Sequence, residues 1–338
     1  MRDNSIDRVS VVMCTYNGAD YVTEQLESIL AQSRPPQELV VADDGSDDDT
    51  LAIVRTVVAR YRDESVAPLD YVELTRDRRT QPEPLGVAGN FERGLRAATG
   101  DAIALSDQDD RWHPGRLGRL VGILEHRPDV GLVHSDAALV DADGEPLGVT
   151  LFEALGVSRR ELAGIAAGRA FEVLLRRNLV TGATAVVRRT VVDRALPIPD
   201  GWIHDEWLAI VAAAVGRTAV LRDPLIDYRQ HGGNQIGAAK LTLRGKLNKL
   251  REPREERNEN LLVRAEALVS RIDDLFPEVS AKRRTFAVLK LDHERVRYAL
   301  PDRRIGRVGP VLVEWMRGRY SRYGLGAQDV LRDLVQPS

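Results

Sequence analysis

Residues 9–18, VSVVMCTYNG, run from an apolar segment directly into turn-forming polar residues. The apolar part reads as a buried strand. YVTEQLESILAQS follows, with Val22, Leu26, Ile29 and Leu30 at helical spacing, so the unit is strand, turn, helix. The pattern then repeats. ELVVADDGSDDDT (38–50) reads as a strand ending in a carboxylate-rich turn, and LAIVRTVVARY (51–61) as its helix. LDYVELTR (69–76) is a third strand, followed by a Pro-rich loop from Gln81 to Leu85 and a helix near Gly89–Thr99. DAIALSD (101–107) is a fourth, running into QDDRW. Such alternation builds a parallel sheet with helices on its faces.

Beyond residue 130 the alternation breaks. GLVHSDAALVDADGEPLG reads as a strand pair closed by the turn Asp141–Gly144, and NLVTGATAVVRR as a strand carrying Thr181 and Gly182, so the sheet is mixed. WIHDEWLAIVAAAVG starts an apolar helix near Asp205 that Gly216 ends, and TAVLRDPLIDYRQHGGN adds a last strand before a Gly-rich loop. After Ala238 charged stretches with helical spacing, such as NLLVRAEALVSRIDDLF, replace the strands. The expected boundary lies near 236–245, dividing a catalytic domain, 1–240, from a helical basic extension, 241–338.

At 338 residues, 43% hydrophobic and 29% charged, the composition is that of a globular protein with a sizeable core. The single cysteine, Cys14, excludes an intramolecular disulfide and a thiolate metal cage, and fits a reducing cytoplasm. The N-terminus lacks the apolar h-region of a secretion signal, and no run approaches the ~20 apolar residues of a membrane span. Residues 1–240 carry 27 Lys+Arg against 37 Asp+Glu, and residues 241–338 carry 21 against 14. The bulk is acidic and the tail basic, which suggests either an anionic partner for the tail or a solvated Arg-rich face.

In open α/β sheets ligands bind where strands end, so polar residues just after apolar strands are the first candidates. Three places qualify: Thr15-Tyr16-Asn17, Asp43-Asp44-Gly45-Ser46 and Asp107-Gln108-Asp109-Asp110. Tyr16 offers a surface for a nucleotide base, Asp44 an acceptor for imide or ribose, and Asp107 with Asp109 a seat for the cation of a diphosphate. Clustered carboxylates suit Mg²⁺ or Mn²⁺, hard cations that leave positions for phosphate oxygens. The plain alternative for Asp107–Asp110 is a helix start, with Trp112-His113-Pro114 opening the helix. Asp47–Asp49 read as a solvated helix start, and DDGSDDD lacks the spacing of a calcium-binding EF-hand. A carboxylate in His204-Asp205-Glu206-Trp207 can act as a general base, with Asp205 and Glu206 both open. His231 in YRQHGGN is either a metal or phosphate ligand or a structural histidine. No HExxH, GxxxxGK[ST] or GxSxG is present.

In order, VSVVMCTYNG, ESILAQS, VVADDGSDDDT, LGVAGNF, GDAIALSDQDDRW, HDEWLA and YRQHGGN resemble the family 2 glycosyltransferases of the GT-A fold, over roughly residues 8–238. The wording of SDQDD and YRQHGGN is similar to the bacterial rhamnosyltransferase-like branch that builds cell-surface polysaccharides. The resemblance implies a Rossmann-like mixed α/β sheet flanked by helices. It implies that Thr15, Tyr16 and Asp44 hold the pyrimidine and ribose of the donor, with Asn90 beside the nucleotide and Asp107 and Gln108 in the nucleotide-sugar contact. Asp109 would ligate the metal, His231 would lie at the diphosphate as a second ligand, and Asp205 matches the catalytic base. Cys14 lies where it would touch the base, although a small core residue is its plainer role.

The implied reaction is inverting transfer from a nucleoside-diphosphate sugar, dTDP-rhamnose or a UDP-sugar, to a glycan or lipid-linked acceptor. A sugar-phosphate nucleotidyltransferase would need an Arg-containing Gly-rich loop that TYNGADY does not supply. A nucleotide-sugar- or glycan-binding protein with a dead site would not need Asp107, Asp109 and Asp205 together. The tail, with Arg303, Arg304, Arg307, Arg317, Arg319 and Arg322 among VLVEWM, Tyr320 and Tyr323, suits an anionic membrane surface at the inner face of the cell membrane. Docking on the catalytic domain or a homodimer contact are its alternatives. Nucleic acid is not expected as a partner.

Overall fold

The computed structural model describes residues 5–65, 67–232 and 253–337. The boundary expected near 236–245 lies outside them, as do Gly233 and Asn234 of YRQHGGN. The described chain forms two compact units. The first comprises residues 5–162, Val180–Ile198 and residues 203–232; the second comprises Ala163–Leu179, Pro199–Trp202 and residues 253–337.

The first unit holds one mixed sheet. In chain order its elements are β1 (Val9–Thr15), α1 (Val22–Leu30), β2 (Glu38–Asp43), α2 (Thr50–Glu64), β3 (Asp70–Thr75), α3 (Gly86–Ala97), β4 (Ala102–Ser106), β5 (Arg111–Trp112), α4 (Arg116–His126), β6 (Val130–Val140), β7 (Pro146–Thr150) and α5 (Leu151–Ala154). α6 (Arg159–Ala166) follows, then α7 (Ala170–Arg176), which belongs to the second unit, and the first unit resumes with β8 (Ala185–Arg188), α8 (Arg189–Ala195), α9 (His204–Val215) and β9 (Arg217–Arg229). The strand order is β3-β2-β1-β4-β8-β6-β9-β5, with β7 paired to β6. β1 is parallel to β2 and β4, and β2 to β3, so the first four strands end on one edge. β8 runs antiparallel between β4 and β6, which makes the sheet mixed.

Burial on both faces explains why the central strands are near-continuous apolar runs. Val9, Val11, Val12 and Met13 of β1 are all buried, as are Leu39, Val40 and Val41 of β2. α1 packs through Val22, Leu26, Ile29 and Leu30, the spacing legible in the sequence. α3 comes close to the sheet at Gly94, where a Cβ would stand 2.5 Å from Val12 Cγ1.

Two local expectations are corrected. Trp112-His113-Pro114 does not open a helix: Arg111 and Trp112 form the short strand β5 against Asp227 and Ile226, and α4 begins only at Arg116. Asp107–Asp110 are therefore a strand-to-strand connection and not a helix cap. The strand expected over NLVTGATAVVRR is confined to β8, because Gly182–Thr184 form a 3₁₀ turn.

The second unit is helical: α7, α10 (Arg254–Asp274), α11 (Ala281–Tyr298), α12 (Arg304–Met316), α13 (Arg319–Tyr323) and α14 (Ala327–Val335). Ala265, Leu268, Ile272, Ala287 and Leu291 are buried apolar residues of α10 and α11. Charge is buried here too. Arg297 Nε donates to Asp333 Oδ2 at 2.7 Å, Tyr320 Oη donates to the same oxygen at 2.9 Å, and His293 Nδ1 lies 2.7 Å from Glu314 Oε2. Arg307 donates to the carbonyls of Pro301, Asp302 and Gln336. Arg307, Tyr320 and Tyr323, expected on a basic surface, are interior, and Arg319 bonds Glu314. No helix among the described residues is long and apolar enough to cross a membrane.

Candidate functional site

The three polar segments meet at the carboxyl edge of β1, β2 and β4. Thr15 pairs in register with Asp43, and its Oγ1 donates to Asp43 Oδ2 at 2.8 Å. Asp43 Oδ1 accepts from the amides of Gly45 and Ser46, so this buried carboxylate shapes the DDGS turn. Gln108 clamps the peptide of Tyr16: its Oε1 accepts from Tyr16 N at 2.8 Å and its Nε2 donates to Tyr16 O at 3.1 Å. The Tyr16 ring is left exposed.

Several residues expected to touch a nucleotide also hydrogen-bond within the protein. Asp44 is buried; its Oδ1 accepts from Arg76 Nε at 2.7 Å and from Leu85 N, and its Oδ2 accepts from Gly86 N. Asn90 is buried with its Nδ2 donating to Ala42 O at 2.7 Å and its Oδ1 accepting from Arg93. Gln108 is committed to Tyr16, as above. In this arrangement Asn90 and Gln108 hold backbone, while Asp44 Oδ2, which accepts from Gly86 N, keeps acceptor capacity for a further donor. Cys14 is half-buried, and burial pushes its thiol well up, so it is no ready nucleophile.

At the other side of the edge, β9 delivers its last residues to the Asp107–Asp110 segment. His231 Nε2 lies 2.8 Å from Asp109 Oδ2, and the His231 ring packs against Tyr21 with centroids 4.8 Å apart. Arg229 fixes the approach: its backbone N donates to Asp110 Oδ1, its Nε to Asp109 O, and its Nη2 to Glu24 Oε2. Gln25 of α1 donates to Ser106 Oγ and Asp107 O from below.

Burial, then the charges of Asp109 and Asp205, raise the Asp107 carboxyl to about 7. Asp205 is thereby within electrostatic reach of the β4 end. It stands in the first turn of α9, with Oδ2 accepting from Gly182 N at 2.9 Å and Oδ1 from Glu206 N at 2.6 Å. Burial and Glu206 outweigh those hydrogen bonds and hold its carboxyl up at about 7. Gly182 is required here, since a Cβ would come within 2.5 Å of His204 Nε2. His204 stacks on Phe91 at 3.7 Å, and burial lowers its pKa to about 3, so it is a neutral prop for the helix start.

An edge where burial and neighbouring carboxylates raise Asp107, beside a carboxylate and an imidazole 2.8 Å apart, has the chemistry of a divalent-cation seat. Among the described residues no group of three or more His, Cys, Asp or Glu could hold a metal alone. The protein side chains would supply Asp109 and His231, leaving coordination positions for ligand oxygens and water, as Mg²⁺ and Mn²⁺ prefer.

Residues 10–192 match the sequence profile of glycosyl transferase family 2. The chain belongs to that family. It is 27% identical over 242 residues to an uncharacterized glycosyltransferase of Nostoc sp., covering 70% of this chain and 69% of that protein. It is 29% identical over 228 residues to an uncharacterized protein of Mycobacterium tuberculosis, covering 66% of this chain but only 59% of that protein. The Bacillus subtilis protein TuaG, named for glycosyl transfer in teichuronic acid biosynthesis, is 30% identical over 141 residues, or 41% of this chain and 50% of TuaG. In fold the glycosyltransferase is similar to Staphylococcus aureus TarS residues 1–349, solved with UDP-GlcNAc: TM-score 0.55 at 18% identity, covering 96% of this chain and 89% of that one. The sheet of this glycosyltransferase is accordingly of the GT-A type.

Arg76, Arg93, Arg229 and Tyr21 of the glycosyltransferase were not among the expected site residues. Arg76 had a signal. It directly follows β3, and the strand-end rule that selected Asp44 and Asp107 selects it equally. Arg93 donates from α3 to the carbonyls of Asp43 and Leu74, a contact between distant segments that spacing does not reveal.

Proposed function

We propose that this family 2 glycosyltransferase moves a sugar from a nucleoside-diphosphate donor to a glycan or lipid-linked acceptor, with inversion and in a metal-dependent reaction. The observation that carries the reading is the contact of Asp109 with His231 beyond the end of β4, with the raised carboxyl of Asp205 in electrostatic reach of the neighbouring Asp107. The names of TuaG and of the TarS complex support a UDP-sugar and cell-surface polysaccharide synthesis; the SDQDD and YRQHGGN wording keeps dTDP-rhamnose as the other donor.

In this reading Tyr16 faces the base, and Asp109 with His231 hold Mg²⁺ or Mn²⁺. The cation supplies charge neutralisation of the diphosphate. Ionised Asp205 takes the proton of the acceptor hydroxyl as its oxygen bonds the anomeric carbon, and the bond from that carbon to the diphosphate oxygen breaks. The electron pair leaves with the nucleoside diphosphate. A carboxyl near 7 suits this, because a general base works best with its pKa close to the working pH. Glu206 stays as the rival base, one residue away.

The test is a thermal-shift panel of UDP-, dTDP- and GDP-sugars with and without Mn²⁺, followed by nucleotide release assays on the donor that binds. A native-state ligand raises the melting temperature with its concentration. Cation-dependent stabilisation by one donor and transfer or slow hydrolysis of it are expected; full turnover in excess chelator would overturn the metal role.

A further inference from the structure

α12 turns Arg307 and Glu314 inward and most of its apolar residues outward. Arg307, Val311 and Glu314 are buried, whereas Ile305 is 91% exposed, Trp315 54% and Met316 73%, with Val308 and Leu312 about half exposed. Positions 305, 308, 312, 315 and 316 recur at helical spacing and share one face. A contiguous exposed apolar face marks an interaction site.

The charges around it decide the partner. Glu314 is the sole carboxylate of α12 and is turned inward, accepting from Arg319 and lying against His293. Arg303 and Arg304 stand exposed at the entry of the helix and Arg317 at its exit. Neither Arg303 nor Arg304 has an ion-pair partner among the described residues. A second copy laid on this face would bring Arg303, Arg304 and their counterparts together with one exposed carboxylate per copy, Asp302, which already faces Arg254 at 3.5 Å. An anionic lipid surface answers both features, because it takes apolar side chains below its headgroups and phosphates beside the arginines. Trp315, near the exit, is the residue type that sits at headgroup level.

We propose that α12 lies in the plane of an anionic membrane surface, immersing the face from Ile305 to Met316 while Arg303 and Arg304 meet headgroup phosphates. The helix is far too short to span, so attachment is one-sided and reversible. This attachment does not depend on which sugar is transferred, or on transfer at all.

Co-sedimentation of the full chain with vesicles of phosphatidylcholine alone or with added phosphatidylglycerol, at low and high salt, tests it. Binding is expected to the anionic vesicles, weakened by salt. The double variant Arg303→Glu/Arg304→Glu should bind at least about tenfold less. Ile305→Asp/Trp315→Asp should lose binding with the melting temperature kept, because both residues are exposed. Arg159→Glu/Arg160→Glu, an equal charge change in the other unit, should bind like the parent. Absence of binding at low salt, equal binding to both vesicle types, or undiminished binding by the α12 variants overturns the proposal. A concentration-dependent dimer that the α12 variants dissolve, without vesicle binding, replaces it with self-association.

Discussion

Asp205 and Glu206 are neighbours in the first turn of α9, yet their surroundings differ. Asp205 is fixed by two backbone amides and raised to about 7, the state in which a carboxylate both ionises at working pH and still accepts a proton readily. Asp205→Asn should lower transfer by about 10²–10⁴ with donor affinity nearly kept, measured by turnover and calorimetry. With Asp205 as the proposed base, the ionised form does the work, so the parent's rate should climb as pH rises through about 7, and this limb should vanish in the variant. Should Glu206→Gln be the dead protein and Asp205→Asn the active one, the base is Glu206. Asp109→Ala should abolish both Mn²⁺-dependent donor stabilisation and turnover. His231→Ala should weaken the first more than it alters Mn²⁺-free behaviour, read by Mn²⁺ titration.

The elements that carry the site are joined less by their ladders than by long side chains reaching across chain ends. β9 ends at Arg229, whose donors meet α1 at Glu24, the β4 end at Asp109 and Asp110, and the β6–β7 turn at Ala142. Arg229→Met keeps length and removes every one of these side-chain bonds. It should lower the melting temperature by several degrees, because buried carbonyls lose their donors at about 1–3 kcal/mol each, and should loosen His231 from Asp109. Calorimetry and Mn²⁺ affinity would both move; an unchanged Mn²⁺ affinity would show that Arg229 serves stability alone. The β4 end and the 3₁₀ turn at Gly182 show why such links escape a reading of local pattern. Each is short, polar and defined by a partner far along the chain.

Both units bury charge, with more than one outcome. In the sheet unit burial pushes Asp107 and Asp205 toward protonation while Asp44 is paired with Arg76; in the helical unit carboxylates are drawn into buried pairs. Burial would raise Glu294, but Lys290, Arg297 and His293 outweigh it and hold its carboxyl down at about 2. A carboxyl lower in the folded than in the unfolded state stabilises the fold above its unfolded pKa, near 4.5, and that contribution drains away as pH falls toward about 2. The share from Glu294 is on the order of 3 kcal/mol. Melting of the helices followed by circular dichroism should therefore drop steeply between about pH 4.5 and 2, and Glu294→Gln should flatten that drop. A profile equally steep in the variant would show that Glu294 is not its source.

Strand and helix patterns were legible from residue 9 to residue 106 because a sheet buried on both faces demands apolar runs of strand length, and helices covering it demand apolar residues at helical spacing. The carboxyl-edge rule then placed Thr15, Asp44 and Asp107–Asp109 together, since parallel strands must end on the same side. Pattern could not say which polar atoms were already taken. Asn90 and Gln108 have the right chemistry for a ligand, and in the fold they also hydrogen-bond to Ala42 and Tyr16. The charge sum of the tail likewise could not separate Arg307, turned inward onto carbonyls, from Arg303 and Arg304 at the surface. Sequence fixes which groups a chain owns and their local period. Whether a group faces solvent, a partner or a ligand depends on contacts between distant segments, which exist only once the chain is packed.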